Sequence, residues 1–285
     1  GKGRLDGLPA DLDLVLPLGD GTDAVAARQG VVLNATADQL AKRGIDLREF
    51  VNGSMRMAVD EKDGGQSFDI DLTRARIDLA QVGWTKSPGV PARAHFTMTE
   101  SGGAREIRGF EFTSEGVEIT GTLSLDGKGN LKRAQFSRFA LRPSDEATLR
   151  VSRDGRTYVA DFQARRFDAR GLIASLTGSG RGGEDGSSSA AFRVSAEIDQ
   201  MTGFNNVSLN GVSLRMTSAG GEVRSLSATG HTSASGTFEF NLTPSEGQRV
   251  MTGVVGDTGA VLRFANLYDR MRGGTGLLNI TMAKG

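Results

Sequence analysis

Apolar residues in this chain recur at every second position, in run after run. Leu12, Leu14, Leu16 and Leu18 share one parity, as do Met55, Met57 and Val59, and Phe68, Ile70 and Leu72. The longest run is Val117, Ile119, Gly121, Leu123 and Leu125, interleaved with Glu118, Thr120, Thr122 and Ser124. Tyr158, Ala160 and Phe162 repeat the pattern, followed by Val212, Leu214 and Met216, then Phe238, Phe240 and Leu242, then Leu278, Ile280 and Met282. Successive side chains of a strand point to opposite faces, so each run has one apolar and one polar side. A parallel sheet covered on both faces reads instead as continuous apolar stretches. The pattern predicts an all-β chain, folded as an antiparallel meander with one wet face.

Turn chemistry agrees. Glycine is abundant, at 40 residues, and proline scarce, at 6. Asp126-Gly127-Lys128-Gly129-Asn130, Arg153-Asp154-Gly155-Arg156 and the segment 60–65 each join two alternating runs. Asp-Gly pairs accept the positive φ of tight hairpins. Helical signals are few and short: 35–42, with Asp38 near its start; 169–176, capped by Asp168; and about 260–271. In the last, Asp257 or Thr258 can accept from the open N–H groups. Val261, Phe264, Ala265 and Tyr268 share a face there, widened by Leu262 and Leu267, and Gly273-Gly274 end it. A Gly/Ser-rich tract at 177–189 separates 1–176 from 190–285. Both sides alternate alike, so the tract reads as a long flexible loop within one sheet system.

The 285 residues suffice for a large core in one or two domains. Charge is balanced, 34 Lys plus Arg against 34 Asp plus Glu. Nothing in that balance offers nucleic acid the basic face its phosphates need. There are no cysteines, hence no disulfides, thiolate metal sites or cysteine nucleophiles. No apolar run marks a signal peptide or approaches the ~20 residues of a membrane span. Any anchor is expected outside this chain, which reads as part of a longer protein.

Several local patterns resemble catalytic or binding motifs, and each has a plainer reading. Asp257-Thr258-Gly259 matches the aspartic-protease triplet, which works as a pair of carboxylates. No second such triplet is present, and residues 260–271 after it have a helical pattern, so Asp257 is read as a helix cap. Asp126 to Asn130 has the oxygens and glycines of a calcium loop. It lacks flanking helices and the later bidentate Glu (Gln135 stands where a distal ligand would be sought), and it reads as a hairpin turn. His95 and His231 fall in no catalytic motif; His95 is expected on a solvated face and His231 in a Thr/Ser-rich turn. The glycines of 178–186 have no Gly-Lys-Ser/Thr ending and no helix after them, so they do not cradle phosphate. Arg138, Arg142, Arg150, Arg153, Arg156, Arg165, Arg166 and Arg170 make the middle locally basic, diluted by Asp145, Glu146, Asp154, Asp161 and Asp168. Cross-strand pairing on a wet face accounts for them. Trp84, beside Gly83 and ahead of Pro88 and Pro91, reads as one packed aromatic at a bend. No catalytic residue, metal ligand or cofactor site is assigned, and the chain is not expected to be an enzyme.

Three stretches taken together resemble a known family: Val82-Gly83-Trp84 through Ala92; Ile107 to Phe139, with Gly116 to Gly121, Leu123 to Gly127 and Gln135 to Phe139; and Asp257 through Gly274. With Phe167 to Leu172, they are similar in order to the carboxy-terminal half of YhdP-like proteins, within the AsmA-like group of envelope proteins. The resemblance covers most of the chain. It implies a long periplasmic body tethered to the inner membrane, built as an elongated, curved antiparallel sheet with an open hydrophobic groove. It also implies a part in phospholipid movement between inner and outer membranes, with possible envelope protein partners and no nucleic acid.

An open apolar sheet face is an interaction surface. Acyl chains fill such a groove without hydrogen-bonding demands, at ~0.8 kcal/mol for each buried methylene. Val117, Ile119, Leu123, Leu125, Phe136, Phe238 and Phe240 are the expected lining. Two other readings stay open: a non-transporting structural or interaction module whose apolar face packs internally, and a hydrolase on a β scaffold, for which only Asp257-Thr258-Gly259 speaks.

Overall fold

The computed structural model describes residues 2–5, 8–15, 28–42, 48, 50–62, 65–79, 82–176, 191–220, 222–232, 236–245 and 248–283. Leu16, Leu18 and the 177–189 tract lie outside the described residues. The chain is nearly all β, mixed but mostly antiparallel, in open sheets, with three short helices among the described residues. It divides into two compact units, Gly1–Leu79 with Thr85–Ala134, and Ala80–Trp84 with Gln135–Gly285.

The first unit contains β1 (Lys2–Leu5), β2 (Leu8–Val15), β3 (Arg28–Thr36), α1 (Ala37–Ala41), β4 (Val51–Lys62), β5 (Gly65–Asp71), β6 (Ala75–Leu79), β7 (Trp84–Lys86, whose first residue belongs to the second unit), β8 (Ala92–Ser101), β9 (Ala104–Ser114) and β10 (Val117–Leu125). Among the described residues its strands pair antiparallel in the order β1-β2-β3-β4-β5-β8-β9-β10, with β6 on the early residues of β4. Tight turns set the register. Ser101 pairs with Ala104 across Gly102-Gly103, both at positive φ, and Ser114 pairs with Val117 across Glu115-Gly116. Helix α1 starts in a capping box, the Thr36 hydroxyl accepting from Gln39 N–H while the Gln39 side chain accepts from Thr36 N–H. Lys86 is buried, and its ammonium donates to the carbonyls of Thr73, Ala75 and Ser87 at 3.3, 2.6 and 3.2 Å. Three donors meet three acceptors, as a buried cation requires.

β11 (Leu131–Ala140) begins at the end of the first unit. The second unit continues with β12 (Glu146–Asp154), β13 (Thr157–Asp168), α2 (Arg170–Leu176), β14 (Ala191–Thr202), β15 (Ser208–Ala219), β16 (Glu222–Thr232), β17 (Thr237–Ser245), β18 (Gln248–Val255), α3 (Thr258–Phe264) and β19 (Gly276–Ala283). From β12 to β19 each strand pairs with the next, antiparallel except for one parallel pair, β13 with β14. A parallel neighbour needs a crossover of a dozen residues or more, to return the chain to the strand's starting end. Helix α2 and the residues after it supply that length, so the Gly/Ser tract falls inside one crossover of this unit.

Helix α3 is shorter than its sequence pattern. It ends at Phe264, with Ala265 as C-cap and Asn266 at φ 56°. Leu267 and Tyr268 are exposed. Gly273 and Gly274, both at positive φ, do not terminate the helix. They turn the chain back so that their carbonyls accept from Gly259 N–H and Thr258 N–H, the helix's first turn. A Cβ on Gly259 would press into the Met271–Arg272 backbone, so the glycine makes this approach possible.

The core of the second unit gathers at one end of its sheet. Ala147, Ala164, Ile198, Val212, Phe238 and Val255 from the strands pack with Phe167, Ala169, Met201, Val207 and Leu209, and with Ala260 and Phe264 of α3. Ile173 of α2 and Val261 of α3 pack against them. The Phe264 ring occupies the space a Gly203 side chain would take.

Candidate functional site

The strand registers assemble the alternating residues into rows that run across the sheets. In the second unit one row reads Leu149, Phe162, Ala196, Leu214, Ala228, Phe240, Gly253 and Leu278 from β12 to β19. The next, one step further from the helices, reads Val151, Ala160, Val194, Met216, Leu226, Leu242, Met251 and Ile280. The opposite face carries Arg150, Asp161, Ser195, Arg215, Ser227, Asn241, Thr252 and Asn279 in the same strand order. Eight strands side by side span roughly 34 Å at the ~4.8 Å inter-strand spacing.

Exposure along the apolar face is graded. The row under α2 and α3 is buried, with Ala147, Ala164, Ile198, Val212, Phe238 and Val255 among its residues. The Leu149 row is part buried, part half-buried, and the Val151 row is mostly half-buried, with Ile280 exposed. Phe238 lies over Gly230 and Phe240 over Gly253, each ring filling the room left by a glycine on the neighbouring strand, and the two rings are 5.8 Å apart. Beyond these rows Arg153 stands over the Tyr158 ring at 5.7 Å, and Tyr158 stacks on Phe192 at 5.6 Å. Arg249, on the apolar parity of β18, donates to the Val223 carbonyl at 3.0 Å.

The first unit repeats the design. Ala10, Leu33, Met57, Ile70, Ala94, Phe112 and Ile119 form a row from β2 to β10. The adjacent row runs Val31, Val59, Phe68, Phe96 and Phe110 to Gly121. Phe68 and Phe96 stack at 4.9 Å, and Phe96 meets Phe110 at 6.3 Å. Toward α1 the face is closed by buried Ala35, Met55, Ala92 and Val117; away from it Val59, Phe68, Phe96, Phe110, Met98, Ile107 and Leu123 are half-buried. The reverse face carries Asn34, Arg56, Asp71, Arg93, Thr113 and Glu118. At the far margin Arg105 pairs with Glu100 at 3.7 Å.

Of the lining residues expected from sequence, Val117, Ile119, Leu123 and Leu125 belong to the first unit's face, the first two buried and the last two half-buried. Phe136, Phe238 and Phe240 belong to the second unit, where Phe136 meets Phe139 at 6.1 Å and is half-buried. Sequence parity missed Phe110 and Phe112 because β9 changes parity along its length. Register against β8 and β10 shifts around Gly109, whose φ is 59°. One extra residue there puts Ile107 and Phe110 on the same side. Gly211, at φ 55°, does the same for Leu209 and Val212 on β15. A lone glycine inside an alternating run is the signal that locates such a bulge.

The motif-like segments resolve into local structure. Asp257 caps α3, its Oδ1 accepting from Ala260 N–H at 2.8 Å. Asp126 Oδ1 accepts from Lys128 N–H, Asn130 N–H and the Asn130 side chain, which makes the loop a closed turn. His95 is exposed, 3.3 Å from Asp69 on the polar face. His231 is not in a turn but in β16, opposite Thr237 and Asn210, and also exposed. Glu146 pairs with Arg165 and Arg166, which hold its carboxyl below the usual range. Gly83, at φ 68°, lies where a Cβ would collide with the Gly171–Leu172 backbone, so the bend before buried Trp84 packs on α2. Against protein-family models, curated proteins and solved structures, the chain finds no match. Among the described residues no helix is long and apolar enough to cross a membrane, and no three His, Asp or Glu side chains converge as a metal site.

Proposed function

We propose that the apolar sheet faces hold lipid acyl chains, and that the chain is a periplasmic segment of an AsmA-like, YhdP-like envelope protein. In this reading it shields phospholipid tails between inner and outer membranes, tethered to the inner membrane by an anchor outside the chain. It works by shelter and not by bond-making. The observation that carries the reading is the graded apolar face. A face meant only as core would be covered along its length, whereas these rows lose cover step by step away from the helices. A roughly 34 Å row exceeds one acyl chain, since the ~30 Å hydrocarbon core of a bilayer holds two end to end. Arg153, Arg249 and Arg105 at the outer margins give headgroups polar neighbours.

The test is lipid mass spectrometry of an organic extract of gently purified protein. Leu123 and Met216 are half-buried, so Leu123→Asp and Met216→Asp put a charge in the path without gutting the core. An unpaired carboxylate against an acyl chain is expected to lower bound phospholipid about tenfold. A stable, compact protein that carries no lipid returns the apolar faces to internal packing, and the chain to a structural module of the envelope.

A further inference from the structure

We infer, resting on the lipid-holding reading, that the second unit's apolar face selects anionic phospholipid. Arg153 and Arg249 each bind a headgroup phosphate at its outer margin, and the acyl chains run along the strands toward α2 and α3. Charge is divided unevenly between the two sides of this sheet. Outward from the helix-covered row, the apolar parity runs Ala147, Leu149, Val151, Arg153 on β12 and Val255, Gly253, Met251, Arg249 on β18. Over these rows of β12 to β18, and among the described residues, the two arginines are the only charged side chains that share this parity. Both stand in the outermost row, with Tyr158, Phe192, Ser218 and Val223 between them. Asp154 and Arg193 have the reverse parity, and Arg224, at the register shift of β16, is neutralised by Glu222 at 3.1 Å.

Among the described residues neither guanidinium has a carboxylate partner. Arg153 gives its Nε–H to the Gly155 carbonyl at 3.0 Å and stands over the Tyr158 ring, and Arg249 gives one N–H to Val223. An arginine carries five N–H donors in a fixed fork, so most of each fork is left for phosphate oxygens. A zwitterionic headgroup adds an ammonium, which the arginines repel and for which this row holds no carboxylate. The first unit differs at its margin, where Glu61 and Glu100 share the apolar parity with Arg105 and Glu100 pairs with it. Arg153 and Arg249 lie six strands apart, roughly 29 Å at ~4.8 Å per strand, so they serve separate lipids. From Arg153 to Ala147 the strand runs roughly 20 Å at ~3.4 Å per residue. One acyl chain spans about 15 Å, half of a bilayer's ~30 Å core. A tail whose phosphate sits at the margin therefore lies wholly over apolar rows.

The test offers the full chain two photoreactive lipids with matched diazirine-bearing tails, phosphatidylglycerol and phosphatidylethanolamine, each in phosphatidylcholine vesicles, and maps adducts by peptide mass spectrometry. Adducts on Met216 and Leu226 are expected about fivefold more often from phosphatidylglycerol. Phe96 and Leu123, in the first unit, should take both lipids about equally. Arg153→Gln with Arg249→Gln should remove most of the second unit's preference, and Arg153→Gln alone, at an exposed position, part of it. A diazirine near the methyl end should label Leu214 and Phe240, and one near the ester Tyr158 and Phe192. Equal labelling of Met216 and Leu226 by the two lipids, a preference that survives the double substitution, or the opposite positional order would each overturn the anionic selection and leave lipid holding in place. Adducts on neither unit would overturn both.

Discussion

Asp145 sits fully buried and gives both carboxylate oxygens to the backbone: Oδ2 to Leu141 and Arg142 N–H at 3.0 and 2.9 Å, Oδ1 to Asp168 N–H at 2.8 Å. Burial pushes its carboxyl above the usual value, against those three donors. An amide cannot replace it, because Asn offers one acceptor oxygen and would turn an NH2 toward a backbone N–H. Asp145→Asn is expected to destabilise the fold by about 2–3 kcal/mol, read as a lower urea midpoint at unchanged slope. Asp168 next to it behaves oppositely. Burial works to raise its carboxyl, but hydrogen bonds from Arg170 outweigh that and hold it below the usual range. A carboxyl lowered by folding stabilises above its unfolded pKa of about 3.9, and that stability is lost as pH falls through the folded value. Urea midpoints should therefore fall in acid, and less steeply below about pH 4 in Arg170→Ala, which removes the partner.

At the scale of elements, two glycines decide which side chains reach the apolar face. A Cβ on Gly109 would meet open space, so the cost of replacing it lies wholly in its positive φ. Gly109→Val is expected to cost about 1–2 kcal/mol and Gly109→Asn clearly less, since Asn tolerates the left-handed region and a β-branched residue does not. Thermal unfolding of the two variants side by side checks this. The strands with clean alternation, β10 and β17 among them, were legible from sequence because parity is a local property. The bulged strands β9 and β15 were not, because a one-residue shift shows only against a neighbour. The same holds for β13 and β14: nothing local distinguishes a strand paired parallel from one paired antiparallel. Helix α3 was overextended because Leu267 and Tyr268 continue its apolar period, while Asn266 beside them takes a conformation that ends it.

At the scale of the whole molecule, each unit has an apolar face closed at one end by helix and loop, and a polar reverse face. The parity of the expected lining could be read from sequence, but its depth could not. Ile119 is only 7% exposed and belongs to the packed base, where a charge would test folding before it tested lipid binding. Leu123, Phe96, Met216, Leu226 and Phe240 are half-buried and sit where a chain would lie. The most direct measurement uses the unaltered protein with a phospholipid carrying a diazirine in its acyl chain, irradiated and mapped by peptide mass spectrometry. The account predicts adducts on Leu123, Phe96, Met216, Leu226 and Phe240, and none on Thr122, His95, Arg215, Ser227 and Glu239 one residue away. Labelling of both sets alike, or of neither, would contradict a lipid-holding face.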